Sequence, residues 1–247
     1  MSVQLALELG ASPAPRFGNF IPGPNQEVLD TLRRWLRADL AEPVIYLWGV
    51  AGAGKTHLLR AAVDEALEAG WTAQYIDSPT ALGPAVPEAG QLQLIAVDDV
   101  GEADALGQAA LFSALIAAAE GRVRLLLAGS NAPVGLALRA DVRTRIGASL
   151  VLHVKALTDE EKAEVLRQHA RERGFALPLE GAQYLLRHNR RDLPGLMALL
   201  DAIDRYSLQA KRPVTLSLLR EVSQADSFAG NVTRIVERRD PFGSIND

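Results

Sequence analysis

The chain has 247 residues, 48% of them hydrophobic and 23% charged, with a mean hydropathy of +0.05 and a formal net charge of −4. That composition is globular and lies outside the disordered range, and an acidic balance with a pI near 5.7 argues against a general nucleic-acid binder. The absence of cysteine excludes disulfides, thiolate chemistry and zinc–thiolate sites, and the four histidines (His57, His153, His169, His188) form no pair at metal-ligand spacing.

The chain begins with VQLALEL, residues 3–9, in which Leu5, Leu7 and Leu9 alternate. Such a stretch is either one face of a short strand or an extended peptide for a partner's pocket. No basic start followed by a long apolar run precedes it, and the longest apolar stretch, 109–119, falls short of the roughly 20 residues that span a bilayer. A cytoplasmic protein without membrane contact is expected. Residues 10–25 are rich in Gly and Pro and read as a linker that becomes ordered near Phe17, Phe20 and Ile21.

A helix is predicted over 26–40, with Val28, Leu29, Leu32, Trp35, Leu36 and Leu40 as its apolar stripe. Five continuous runs of β-formers follow: PVIYLWG, TAQYID (72–77), LQLIAVDD (92–99), VRLLLAGS (123–130) and ASLVLHV (148–154). Runs without a polar face, alternating with helical segments and lacking hairpin-length links, predict a wound α/β domain around a central five-stranded parallel sheet. After Lys155 the pattern becomes helical. TDEEKAEVLRQHARERG opens with a capping box, Thr158 and Glu161, and stops at Gly174. Further helices are predicted over 179–188, 193–211 and 216–224. The domain plan is therefore a tail and linker over 1–15, an α/β domain over 16–155, a small helical domain over 156–225 and a loosely ordered tail over 226–247.

The stretch GVAGAGKTH, residues 49–57, matches G-x-x-x-x-G-K-[ST] between a predicted strand and a predicted helix. Gly49, Gly52 and Gly54, with Ala53 between the last two, allow the backbone to form a nest of N–H groups for a polyphosphate. The helix N-terminus adds positive potential. Lys55 would reach the β- and γ-phosphates of ATP or ADP, the Thr56 hydroxyl would bind Mg²⁺, and His57 closes the motif as a further nucleotide-binding residue. The alternative is a glycine-rich turn with an exposed lysine. LIAVDD supports the phosphate reading, because an apolar strand ending in Asp98 and Asp99 supplies one carboxylate for the Mg²⁺ water shell and another to polarise water.

LWGVAGAGKTHLLRAA, LIAVDDV and the helical segment together resemble the AAA+ module of the DnaA-like family, and more closely its short Hda-type members, the regulatory inactivators of DnaA. The resemblance covers roughly residues 3–224. It implies a P-loop AAA+ module followed by a helical lid. FIPGPNQEVL resembles the segment beside the adenine, which would set Phe20, Ile21 and Pro22 next to the base and let Asn25 open the helix. LLLAGSNAP matches the sensor-1 strand, with Ser130 or Asn131 near the γ-phosphate, where family members often carry Asp then Arg. ADVRTRIGAS matches the arginine-finger segment, with Arg145 first and Arg143 second. NRRDLPGLMALLDAIDR matches the sensor-2 helix, with Arg191 ahead of it.

QLALEL resembles the family's motif for docking on the DNA polymerase III sliding clamp (β subunit), using Gln4, Leu5, Leu7 and Leu9, although Glu8 stands where Pro is usual. The implied function is a clamp-tethered regulator that stimulates hydrolysis of DnaA-bound ATP through Arg145, with weak turnover of its own. A DnaA-like helicase-loading or initiation ATPase is the alternative. Only 22 residues follow position 225, too few for a helix-turn-helix module, so no sequence-specific DNA contact is expected. Homo-oligomerisation stays open, as does ADP-versus-ATP preference.

Overall fold

The computed structural model describes residues 14–82, 93–188, 193–210 and 212–220. They belong to two compact units, one of residues Ala14–Leu157 and one containing the helices from Thr158 onward.

The first unit is a five-stranded parallel sheet in the order β2-β3-β4-β1-β5. Its strands are β1 (Val44–Trp48), β2 (Ala73–Ile76), β3 (Leu94–Val97), β4 (Arg124–Gly129) and β5 (Leu150–His153). The continuous apolar runs become two hydrophobic layers because successive side chains point to opposite faces. Ile45 and Leu47 of β1, Leu94 and Ala96 of β3, and Leu126 and Ala128 of β4 pack with α1 (Gln26–Leu36) and α2 (Lys55–Glu68). Tyr46, Ile95, Val97, Leu125 and Leu127 face the other way, toward α3 (Ala105–Ala119) and α4 (Ala140–Gly147). Burying one such side chain contributes about 1.5–3 kcal/mol, and the strand positions named are at most 1% exposed.

The first helix ends earlier than its apolar stripe suggests. Leu40 lies beyond it, because Ala38 adopts a left-handed φ of 61° and the Trp35 indole N–H donates to the Glu42 carbonyl at 2.6 Å. Those two features turn the chain back toward β1. The strands are also shorter than the runs that predicted them, since the flanking residues leave the ladder to form turns.

The second unit contains α5 (Asp159–Glu172), α6 (Leu179–His188), α7 (Leu193–Ala210) and a helical turn at 216–220. Thr158 accepts from the Glu161 N–H at 3.1 Å while the Glu161 carboxylate accepts from the Thr158 N–H at 2.7 Å, so the capping box forms. Gly174 has φ 87°, the left-handed conformation that ends α5. Leu166, Leu185, Leu199, Leu200, Ile203 and Leu219 make the core of this unit. His169 Nε2 and Asp201 Oδ1, 2.6 Å apart, tie α5 to α7. Among the described residues no helix is long and apolar enough to cross a membrane.

Candidate functional site

Loop 49–56 leaves β1 and runs into the N-terminus of α2. Gly49 is required by contact, since a Cβ there would lie 2.1 Å from the Val154 carbonyl oxygen of the neighbouring strand's continuation. Gly54 is required by conformation and contact, with φ 100° and the Phe20 ring 2.8 Å from its ideal Cβ. Gly52 is required by conformation alone, with φ 76° and open space around it. Ala53 is buried beneath the loop. Left-handed glycines at 52 and 54 directly ahead of a helix N-terminus are the backbone framework of an anion cradle.

Lys55 is only 7% exposed. Its ammonium donates to the Gly49 carbonyl at 2.7 Å and to the Val50 carbonyl at 3.1 Å, which parks the cation inside the loop. Thr56 donates its hydroxyl to Asp98 Oδ2 at 2.6 Å. Asp98 is 3% exposed at the end of β3, two strands from β1 with β4 between them. Asp99 stays exposed, with a left-handed φ of 46°. Partial burial of the carboxyl itself, although the residue as a whole is exposed, and then the neighbouring Asp98 charge raise it above the usual Asp value, with Lys55 opposing. A nest of amides, a lysine, a hydroxyl and a buried carboxylate fit a polyphosphate with a hard divalent cation, the hydroxyl and carboxylate supplying oxygen donors.

Two tyrosines missed in the sequence, Tyr46 and Tyr75, support this arrangement. Tyr46 donates its hydroxyl to the Asn131 carbonyl at 2.6 Å, and burial raises its phenol well above the usual tyrosine range. The loop after β4 is thereby pinned from β1, while the Asn131 and Ser130 side chains stay exposed. Tyr75 reaches Asp98 from β2. His57 Nε2 lies 3.0 Å from the Arg16 carbonyl and its ring packs 5.5 Å from Phe20.

Phe20 is buried against Gly54 rather than open to a ligand, whereas Ile21 and Pro22 remain half-buried. Asn25 stands immediately before α1, where it was expected, but its side chain does not bond the first turn. Its amide bonds the Lys155 backbone instead.

Arg145 is exposed in the last turn of α4, its guanidinium 5.2 Å above the Phe112 ring, with no carboxylate partner among the described residues. Arg143 is half-buried and donates to the Leu138 carbonyl at 3.4 Å. Of the pair, Arg145 is the one whose charge faces outward. Arg191 and the motif residues Gln4, Leu5, Leu7 and Leu9 lie outside the described residues, as does the tail over 226–247.

A family model described as the Hda lid domain matches residues 159–222. Among solved structures, domain III of the Thermotoga maritima replication initiation protein DnaA is 17% identical with a TM-score of 0.63, covering 85% of this chain and 95% of that one. The replication initiator DnaA bound to AMPPCP and single-stranded DNA is 20% identical with a TM-score of 0.61, over 81% of this chain and 68% of that one. RuvB from Thermotoga maritima is 16% identical with a TM-score of 0.58, over 85% and 71%. At these identities the likeness is one of fold.

Proposed function

We propose that this chain, a DnaA-like AAA+ protein with an Hda-type lid domain, binds ADP or ATP and regulates replication initiation by acting on DnaA. The observation that carries the reading is the convergence of Lys55, Thr56 and Asp98 at the carboxyl end of a parallel sheet, where such folds bind ligands.

The amides of the loop 49–56 and the Lys55 ammonium hold the phosphates, with Lys55 leaving its two carbonyl acceptors as it does so. Ile21 and Pro22, backed by Phe20 and His57, flank the base, and Arg191 takes the sensor-2 role toward the phosphates. Thr56 and Asp98 are the residues that would hold Mg²⁺, which when bound supplies neutralisation of phosphate charge. Asp99, beside Asp98, polarises the attacking water. Turnover by the isolated chain is weak, because the arginine that completes such a site comes from a neighbour.

Arg145 is offered outward to the ATP held by DnaA. An arginine supplied in trans stabilises charge developing on the transferring phosphoryl group and accelerates such reactions by roughly 10³–10⁵-fold. Gln4, Leu5, Leu7 and Leu9 tether the protein to the polymerase III sliding clamp, with two buried leucines worth about 3–5 kcal/mol before ordering costs.

The test is turnover of DnaA-bound ATP in the presence of clamp loaded on DNA. Arg145→Ala is expected to abolish the stimulation with its fold intact, since the side chain is exposed, while Arg143→Ala retains part of it. An Arg145→Ala protein as active as the parent would remove the mechanism.

A further inference from the structure

Asp98 receives a donor that no motif announces. Tyr75 Oη lies 3.2 Å from Asp98 Oδ2, the same oxygen that accepts from Thr56 at 2.6 Å, while Oδ1 accepts from the Asp99 backbone N–H at 3.0 Å. A carboxylate has about four acceptor directions. Among the described residues three are occupied, which fixes the plane of the carboxyl and leaves one direction at Oδ1.

The strand register explains the contact. Tyr75 pairs with Ala96 across β2 and β3, and Asp98 lies two residues beyond Ala96 on the same side of the chain. A long side chain at 75 therefore reaches diagonally to the carboxylate. The ring alone would satisfy the half-buried packing at this edge strand, so the hydroxyl does something packing does not need. Arg60, one turn after Thr56 on α2, lies with its guanidinium 4.5 Å over the Tyr75 ring.

We propose that Tyr75 is a positioning residue that aims the Asp98 carboxylate at the divalent cation accompanying a bound nucleotide, with Arg60 bracing its ring. The inference rests on the nucleotide-binding reading above. It assigns to β2, outside both phosphate motifs, control over how much the cation adds to nucleotide affinity. Groups that orient ligands from behind in this way typically change metal affinity by 10–100-fold when removed.

Calorimetric titration of ADP, once with excess magnesium and once with EDTA, separates the possibilities. The parent binds ADP more tightly with magnesium. Tyr75→Phe keeps the ring and the affinity in EDTA but loses about tenfold of the magnesium gain. Arg60→Met, an exposed change that leaves the hydroxyl in place, loses about two- to fivefold, and it carries the test if Tyr75→Phe proves unfolded.

A Tyr75→Phe protein with the full magnesium gain overturns the proposal. So does an equal loss with and without the cation, which would mean that Tyr75 only shapes the loop. A parent that binds ADP equally in both buffers overturns it too, while leaving nucleotide binding intact. A folded parent that binds no ADP in either buffer instead removes the reading beneath it.

Discussion

Asn25 replaces a strand partner for Lys155, 130 residues away: its Nδ2 donates to the Lys155 carbonyl at 2.8 Å and its Oδ1 accepts from the Lys155 N–H at 2.7 Å. The side chain is 2% exposed. The bonds tie the segment that holds Phe20, Ile21 and Pro22 to the chain leaving β5, closing the edge of the candidate site opposite β2. Asn25→Ala removes both partners of part-buried Lys155 backbone groups, at a cost of about 1–3 kcal/mol. Asn25→Asp costs more, because it sets a carboxylate against the Lys155 carbonyl. Chemical denaturation should give a lower midpoint for both, in that order.

The glycines of the loop 49–56 separate contact from conformation. Gly49→Ala drives a methyl to 2.1 Å from the Val154 carbonyl oxygen, and the Val154 N–H is itself bonded to the Trp48 carbonyl at 2.7 Å. Relief requires β1 and the chain after β5 to part. Gly52→Ala meets open space and bears only the left-handed conformation, about 1–2 kcal/mol. Scanning calorimetry should show the larger fall in melting temperature for Gly49→Ala, and that variant should lose nucleotide binding as well.

Asp99 makes the site costly to hold. Its carboxyl is raised in the folded protein, by burial first and by Asp98 second. The unfolded chain therefore releases this proton at lower pH than the folded one. Between the ordinary value of 3.8 and the raised folded value the unfolded state binds fewer protons, so this group's contribution to stability falls as pH rises and the deficit persists at neutral pH. Asn carries no charge and tolerates the left-handed φ of 46°. Asp99→Asn should melt at a higher temperature than the parent at pH 7, and the advantage should shrink as pH is lowered through the carboxylate range. A gain in stability from removing a charged group beside a candidate reaction centre is the usual trade between function and folding.

Local chemistry explains what could be read in advance. The loop 49–56 announces itself because its glycines, lysine and threonine lie within eight consecutive positions, and Asp98 because it follows an apolar run directly. The sheet was legible for the same reason: the runs of β1, β3 and, after Arg124, β4 are apolar throughout and end up almost wholly buried, while those of β2 and β5, the edge strands, are only part-buried. Tyr75 and Tyr46 were not legible, because each acts across the sheet on a residue fixed by register rather than by spacing. The family resemblance put Asn25 at the start of α1, where it stands, but gave no sign of what its side chain bonds. Its real partner lies at the other end of the domain. The early end of α1 carried no glycine signal, since Ala38 itself takes the left-handed turn under the pull of the Trp35 bond to Glu42. Arg145 and Arg143 were hard to separate by sequence; burial and the Leu138 contact divide them.

Everything attributed to this protein's partners depends on whether Lys55 exchanges its two loop carbonyls, Gly49 and Val50, for phosphate oxygens. Isothermal calorimetry of the folded chain with ADP and magnesium, run beside Lys55→Ala, measures that exchange. The account predicts a saturable binding heat in the parent and an affinity at least about a hundredfold weaker in Lys55→Ala, as expected when charge-assisted bonds to phosphate are removed. No heat in the parent, or equal affinity in the two proteins while both remain folded, would contradict it.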